Sequence, residues 1–270
     1  MSEDVAPGGL TDTLLAPVAV VDAAAWHDAM AGIPEALAGV AGRHPGGGPC
    51  RLTDFHIRRA LNPPDGGAGV APFAWSARTS RRALGLAAVR LLVAGQVRSP
   101  AQGVRAAVAQ GTSWVRHQGR PLSGMDRWLG ELPPAARAAV GADAVTWATR
   151  LWGAVDWTSF ERAPLIGRDH WWDSPHSSLL ALRGRADVRA GAVHLVTLSG
   201  SRRASVRTEL SVVALVEALR SRDGIMPGRV VGWWPDSGHL VRVEVEPAVL
   251  KKGVEAVEAA LRWGHVRAAA

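Results

Sequence analysis

Two acids and two histidines stand within eight residues, at Asp169, His170, Asp173 and His176. Carboxylate oxygens and imidazole nitrogens at that density are donors for a transition metal. Their spacing matches no zinc signature. The plainer reading is a polar loop anchored by Trp171 and Trp172. A second group is Ser199-Gly200-Ser201-Arg202-Arg203, which falls between an expected strand and an expected helix. Small residues there let backbone N–H groups approach an anion, and the helix dipole adds to the attraction. No Gly-Lys-Ser/Thr follows, so this is not a P-loop, and a solvated tight turn explains it equally simply. A third group is basic: Arg58 and Arg59, then Arg78, Arg81 and Arg82, interleaved with Phe55, Phe73 and Trp75. Guanidiniums bind phosphates and aromatic rings stack on bases. The bland alternative is a solvated helix face. No helix-turn-helix, zinc-finger or RNA-binding signature accompanies it. The chain also lacks a Ser-His-Asp pattern, a nucleophile elbow and a dinucleotide fingerprint. Its single cysteine, Cys50, excludes an intrachain disulfide and a cysteine-rich zinc site.

These groups must be held by recognisable elements. Asp22–Val40 carries Trp26, Met30, Ile33 and Leu37 at helical spacing, with Pro34 as the expected break. Arg51–Leu61 reads as a short basic helix capped by Thr53 or Asp54. Thr79 or Ser80 is the expected cap of a helix ending near Gly95. Ser99-Pro100-Ala101-Gln102 is a helix start with a capping box, and Pro134 opens a long helix to about Gly153. After about Ile166 the pattern changes to short β-type runs at Leu179–Val188, Val193–Leu198, Arg229–Trp234 and Leu240–Val245. Asp236-Ser237-Gly238 is the hairpin turn between the last two. Helices Ser205–Arg220 and Pro247–Trp263 lie among them. The fold class is therefore α/β: a helical N-terminal half, then a mixed β-sheet flanked by helices. The expected division is a disordered tail at 1–10, a helical region over 11–164 with Gly/Pro-rich breaks at 43–49 and 62–69, and an α/β core over 165–270.

Composition bounds the function class. The 270 residues are 47% hydrophobic and 20% charged, which is globular, with 12 Trp and no Tyr. Successive strand residues face opposite ways, so Trp171-Trp172 and Trp233-Trp234 can each set one ring in the core and one outside as an interface anchor; core packing with incidental exposure is the plainer reading. Net charge is +7 and unevenly spread: residues 1–50 hold six acids and one Arg, while residues 51–120 hold eleven Arg and two Asp. A basic excess favours a polyanionic or acidic partner. No stretch is long and apolar enough for a membrane span, and the N-terminus lacks a signal-peptide pattern, so the expectation is a cytoplasmic protein without a membrane partner.

Gly184-Arg185-Ala186-Asp187 at the end of a strand, a second strand at Val193–Leu198 and a helix starting near Arg203 resemble the core of the RecB-like PD-(D/E)XK nucleases. The resemblance covers about residues 165–263. It implies a metal-binding acid at Asp187, with a second acid and a lysine on the next strand. Those positions read Thr197 and Ser199. The family's Gln-x-x-x-Tyr reads Glu209 and Val213. Neutral hydroxyls replace neither an anionic metal ligand nor a cation. The resemblance therefore implies a pseudo-nuclease with Asp187 as a relic and no cofactor. It would bind nucleic acid through Arg58, Arg59, Arg81, Arg82, Arg202 and Arg203, or bind a partner protein, in a DNA-processing or defence assembly. One alternative is an active nuclease using Mg²⁺ or Mn²⁺, with Asp187 joined by a migrated ligand from Asp169, His170 or Glu209. Another is a protein-interaction scaffold without nucleic-acid affinity.

Overall fold

The computed structural model describes residues 9–19, 23–42, 50–62, 74–117, 124–167, 170–177, 180–221 and 226–268. The chain runs through α1 (Leu10–Leu15), α2 (Ala23–Met30), α3 (Ile33–Gly42), β1 (Cys50–Leu52), α4 (Asp54–Leu61), α5 (Ala77–Val93), α6 (Pro100–His117), α7 (Gly124–Glu131) and α8 (Pro134–Ala154). It continues through β2 (Leu165–Ile166), β3 (His170–Asp173), β4 (Leu180–Gly184), β5 (Val188–Ala190), β6 (Val193–Thr197), α9 (Val206–Arg220), β7 (Arg229–Trp233), β8 (Leu240–Glu244) and α10 (Pro247–Ala268). These form two compact units. One comprises Met1–Pro7, Asp12–Val70 and Arg168–Ala270; the other comprises Gly8–Thr11 and Ala71–Gly167.

The linear division read from the sequence does not coincide with these units. Residues 12–70 belong with the α/β unit, because β1 pairs in parallel with β4, Cys50 opposite Leu180, and α4 packs on α10. Such pairing between distant segments leaves no local sequence signal. Of the expected tail 1–10, positions 1–8 lie outside the described residues, and Leu10 already opens α1. The expected Gly/Pro break at 43–49, and 63–69 of the second, also lie outside them.

The α/β unit holds two sheets rather than one mixed sheet. In the first, β4 lies between parallel β1 and antiparallel β3. In the second, β5, β6, β7 and β8 are neighbours in that order, with only β6–β7 parallel. The expected strand Leu179–Val188 is thus two strands, broken at Arg185–Asp187. That break delivers the chain from one sheet to the other and places Asp187 at the bend. Asp236–Gly238 does form the β7–β8 hairpin connection, with Gly238 at φ 70°. Within the expected polar loop at 169–176, His170–Asp173 is instead β3, whose backbone pairs with β4, His170 opposite Gly184.

Helix α9 is the centre of the unit. Leu210, Val213, Ala214 and Ala218 pack toward the β6–β7–β8 side with Val196, Val230 and Val243. Val212, Leu215 and Val216 pack with Leu180, Leu182 and Trp172 of the first sheet and with Leu37, Ile57 and Val257. Every residue from Leu210 to Ala218 is buried, so this stretch of α9 is enclosed on all sides. Trp172 is buried and Trp171 half-buried, so that pair does split. Trp233 and Trp234 are both buried, which agrees with core packing and not with an outward ring, and β7 is an interior strand. Arg229 ties the N-terminal segment down. Its guanidinium donates to the carbonyls of Thr13, Ala16 and Pro17 at 3.2, 3.1 and 3.0 Å, beyond its pair with Glu244 at 2.6 Å. Thr13 lies in the last turn of α1 and Ala16 and Pro17 follow directly after it, at the end of a helix where a cation is favoured.

The helical unit is built on α5, which packs against α6 and α8. Its cap is Ser76, three residues before the expected Thr79: Thr79 donates its N–H to Ser76 Oγ at 3.3 Å and accepts the Ser76 N–H at 2.9 Å. The end at Gly95 is as read, with φ 66°. Helix α6 starts at Pro100, as expected, with the Gln102 N–H donating to Ser99 Oγ at 3.3 Å. The α5–α6 crossing is close because Gly103 faces Ala88; a Cβ on Gly103 would lie 2.8 Å from Ala88 Cα. Among the described residues no helix is long and apolar enough to cross a membrane.

Candidate functional site

The bend at Arg185–Asp187, the end of β6, the start of α9 and helix α4 bring one polar cluster together in the α/β unit. Asp187 is 1% exposed. One of its carboxylate oxygens accepts the Thr197 N–H at 2.6 Å and also the Thr197 hydroxyl. The Thr197 carbonyl accepts from Arg185 Nη2 at 3.0 Å, and Arg185 Nη1 pairs with Asp54 at 2.7 Å. Thr197 is therefore gripped by an anion at its donors and a cation at its acceptor. Asp187 and Thr197, ten residues apart in the chain, are thus in direct contact.

Glu209, in the first turn of α9, is equally committed. It accepts from Arg203 Nε at 2.6 Å and from Arg203 Nη2, and Ser205 Oγ donates to it at 2.8 Å. An acid suits the positive end of a helix. The chain thus supplies its own anion at the turn expected to bind an external one. Asn62, just past α4, donates to Ser205 Oγ at 2.8 Å and joins α4 to the start of α9. Burial lowers the Arg58 pKa, opposed by the charge of Asp54 and reinforced by Arg185 and Arg203. The pocket bounded by Asp54, Ile57, Arg185, Leu198 and Glu209 encloses about 30 Å³. That is room for a water or two, not a nucleotide.

The remaining expected site residues fall elsewhere. Arg59 lies over the Phe55 ring at 5.7 Å on α4, and Arg202 is exposed in the loop before α9. Arg81 and Arg82 belong to α5 in the helical unit, so they share no compact unit with Arg58, Arg59, Arg202 and Arg203. Asp169 lies outside the described residues, and of His170 only its place in β3 is described. Among the described residues no three His, Cys, Asp or Glu side chains gather as a metal-binding group. Cys50 is buried, which pushes its thiol pKa up and away from nucleophilic use.

Sequence reasoning missed Asp54, Arg185, Ser205 and Asn62 as members of this cluster. The Arg185–Asp54 and Asn62–Ser205 contacts span 131 and 143 residues, so no local pattern announces them. It also missed a second, deeper network. Arg189 on β5 donates to both oxygens of Glu217 on α9, at 3.0 and 2.6 Å, and to the Ala186 carbonyl at 3.2 Å. His194 on β6 and Arg220 complete it. Gly184 makes room, since a Cβ there would lie 2.9 Å from Glu217 Oε1.

No protein-family model matches the chain, and no curated protein or solved structure matches it.

Asp187→Asn tests whether the cluster is structural. Charge-assisted hydrogen bonds are about twice as strong as neutral ones, so the substitution is expected to lower stability by about 1–2 kcal/mol. Urea unfolding measures it. An unchanged midpoint would mean that the Thr197 contact holds nothing.

Proposed function

We propose that this protein is a non-catalytic, nuclease-like protein that binds nucleic acid as part of a DNA-processing or defence assembly. The observation that carries the reading is the Asp187–Thr197 pair. Two neighbouring positions at the ends of β-strands, where a PD-(D/E)XK nuclease would set two metal-binding acids, hold one carboxylate and a hydroxyl that donates to it. A carboxylate already bound by an N–H and an O–H is a poor ligand for Mg²⁺, which demands several hard oxygens in octahedral array. Glu209, one of the candidates for a migrated ligand, is paired with Arg203. The net charge of +7 supports a polyanionic partner.

The test is binding of labelled single- and double-stranded DNA across a salt series, with Mg²⁺ and with Mn²⁺. The expected result is intact DNA and an affinity whose logarithm falls linearly with log salt. Metal-dependent cleavage that disappears in Asp187→Ala would establish the active-nuclease alternative instead. No affinity at low salt, with a stoichiometric co-purifying protein, would select the scaffold reading.

A further inference from the structure

The two units differ completely in charge. The α/β unit, with its flanking residues, carries nineteen Lys and Arg against nineteen Asp and Glu. The helical unit carries twelve Arg against five Asp and Glu, which is the whole excess of +7. Four arginines of the α/β unit pair with its own carboxylates: Arg185 with Asp54, Arg189 with Glu217, Arg203 with Glu209 and Arg229 with Glu244. From position 66 to position 125 there is no Asp or Glu, and eight arginines. Most of that run is α5, its turn and α6. Folded helices ordinarily mix charges of both signs, since like charges repel and i, i+4 pairs stabilise.

We propose that the α5–α6 hairpin is the surface that meets the nucleic acid, and that it does so through the phosphate backbone. This deepens the nucleic-acid reading above and rests on it. Arg78, Arg90, Arg98 and Arg105 are exposed, on α5, on its turn and on α6. Arg78 stands in the first turn of α5, where the helix's own positive end disfavours a cation and favours a phosphate. Guanidiniums bind phosphate oxygens bidentately. A membrane surface fits less well. The apolar side of α5, with Leu84, Leu91 and Leu92, is buried inside the unit. An interfacial helix needs that side free to enter the lipid. The hairpin is also braced for a rigid role by the Gly103–Ala88 approach.

The experiment uses the full chain and labelled duplex DNA. Arg90→Gln/Arg98→Gln/Arg105→Gln changes only exposed side chains, so folding is kept and is checked by thermal melting. Each phosphate contact removed lowers the salt slope by about one, so the slope is expected to fall by up to about three. Affinity at about 0.1 M salt is expected to drop at least tenfold, to a similar degree for unrelated sequences. Arg78→Gln/Arg81→Gln/Arg82→Gln is the second variant and is expected to act in the same direction. Arg59→Gln/Arg202→Gln, in the α/β unit, is expected to leave the slope unchanged. If the α/β pair lowers the slope and neither helical triple does, the hairpin is not the surface, while nucleic-acid binding stands. If wild type binds no DNA, the functional reading itself fails. Binding to phosphatidylserine-containing vesicles but not to DNA, lost in the same triples, would overturn the proposal in favour of a membrane surface.

Discussion

Glu217→Ala is expected to lower the unfolding free energy by about 3–5 kcal/mol, the largest loss foreseen for any single substitution discussed. Glu217 is 6% exposed and Arg189 8% exposed. The pair is bidentate, and the remaining Arg189 donor reaches the Ala186 carbonyl. A pair so arranged gains little over well-packed apolar groups, because both ions were taken out of water. Removing one partner is another matter. It takes away the carboxylate that both Nε and Nη2 of the buried Arg189 guanidinium bind, between α9 and β5. Glu217→Gln, which keeps the shape and one acceptor, should lose less. Arg189→Met/Glu217→Leu should recover most of the loss, and urea unfolding of the four proteins reads the comparison. A loss below about 1 kcal/mol in Glu217→Ala would show that water reaches the guanidinium.

Acidification from pH 6.5 to pH 4 is expected to remove roughly 3 kcal/mol of stability through His194. The imidazole is 7% exposed, and burial lowers its pKa from 6.5 to about 4. The Glu217 carboxylate and a backbone hydrogen bond with Gly191 pull the other way, while Arg189 and Arg220 reinforce the fall. Its Nδ1 has no hydrogen-bond partner among the described residues. The folded protein thus holds His194 neutral at pH values where the unfolded chain protonates it. Between about 4 and 6.5 the unfolded state binds more protons, so stability rises with pH and falls as pH drops. A gap of about 2.5 at about 1.4 kcal/mol for each pH unit gives the magnitude. Glu217 adds a second loss at lower pH. Burial raises its pKa, but the hydrogen bonds and charge of Arg189, with His194 and Arg220, outweigh burial and hold it below 4.5. Its contribution is present above that value and is lost as pH falls through the folded one. His194→Gln should flatten the stability profile between pH 4 and pH 6.5. A profile as steep as wild type would assign the titration to another group.

These networks bear on function by what they leave unavailable. In the α/β unit, the carboxylates of Asp54, Asp187, Glu209 and Glu217 all accept hydrogen bonds from the chain itself. Three of them hold an arginine in place. Each of these acids joins segments that are distant in the chain or fixes the start of a helix.

Much of this architecture follows from local sequence. Periodicity and end signals determined α6, α8, α9 and α10, and α5 apart from its cap, because an apolar stripe every three to four residues and a Ser, Pro or Gly at the right end are properties of a short window. The β7–β8 hairpin followed from Asp236-Ser237-Gly238 for the same reason. The bend that makes Leu179–Val188 two strands did not, since Arg185 and Asp187 differ little in pattern from edge-strand residues until their partners are known. The tertiary structure alone decided that residues 12–70 join the α/β unit, that Asp54 reaches Arg185, and that Arg189 meets Glu217. Each depends on pairs far apart in sequence, whose encounter is set by sheet pairing and by packing around α9. Charge shows the division most clearly. The sequence by itself determined a net +7 and a basic stretch between positions 51 and 120. Only the folded chain showed which arginines are already neutralised by distant carboxylates and which stand on an acid-free helical hairpin, because an ion pair is made by proximity in space and the sequence records only proximity along the chain.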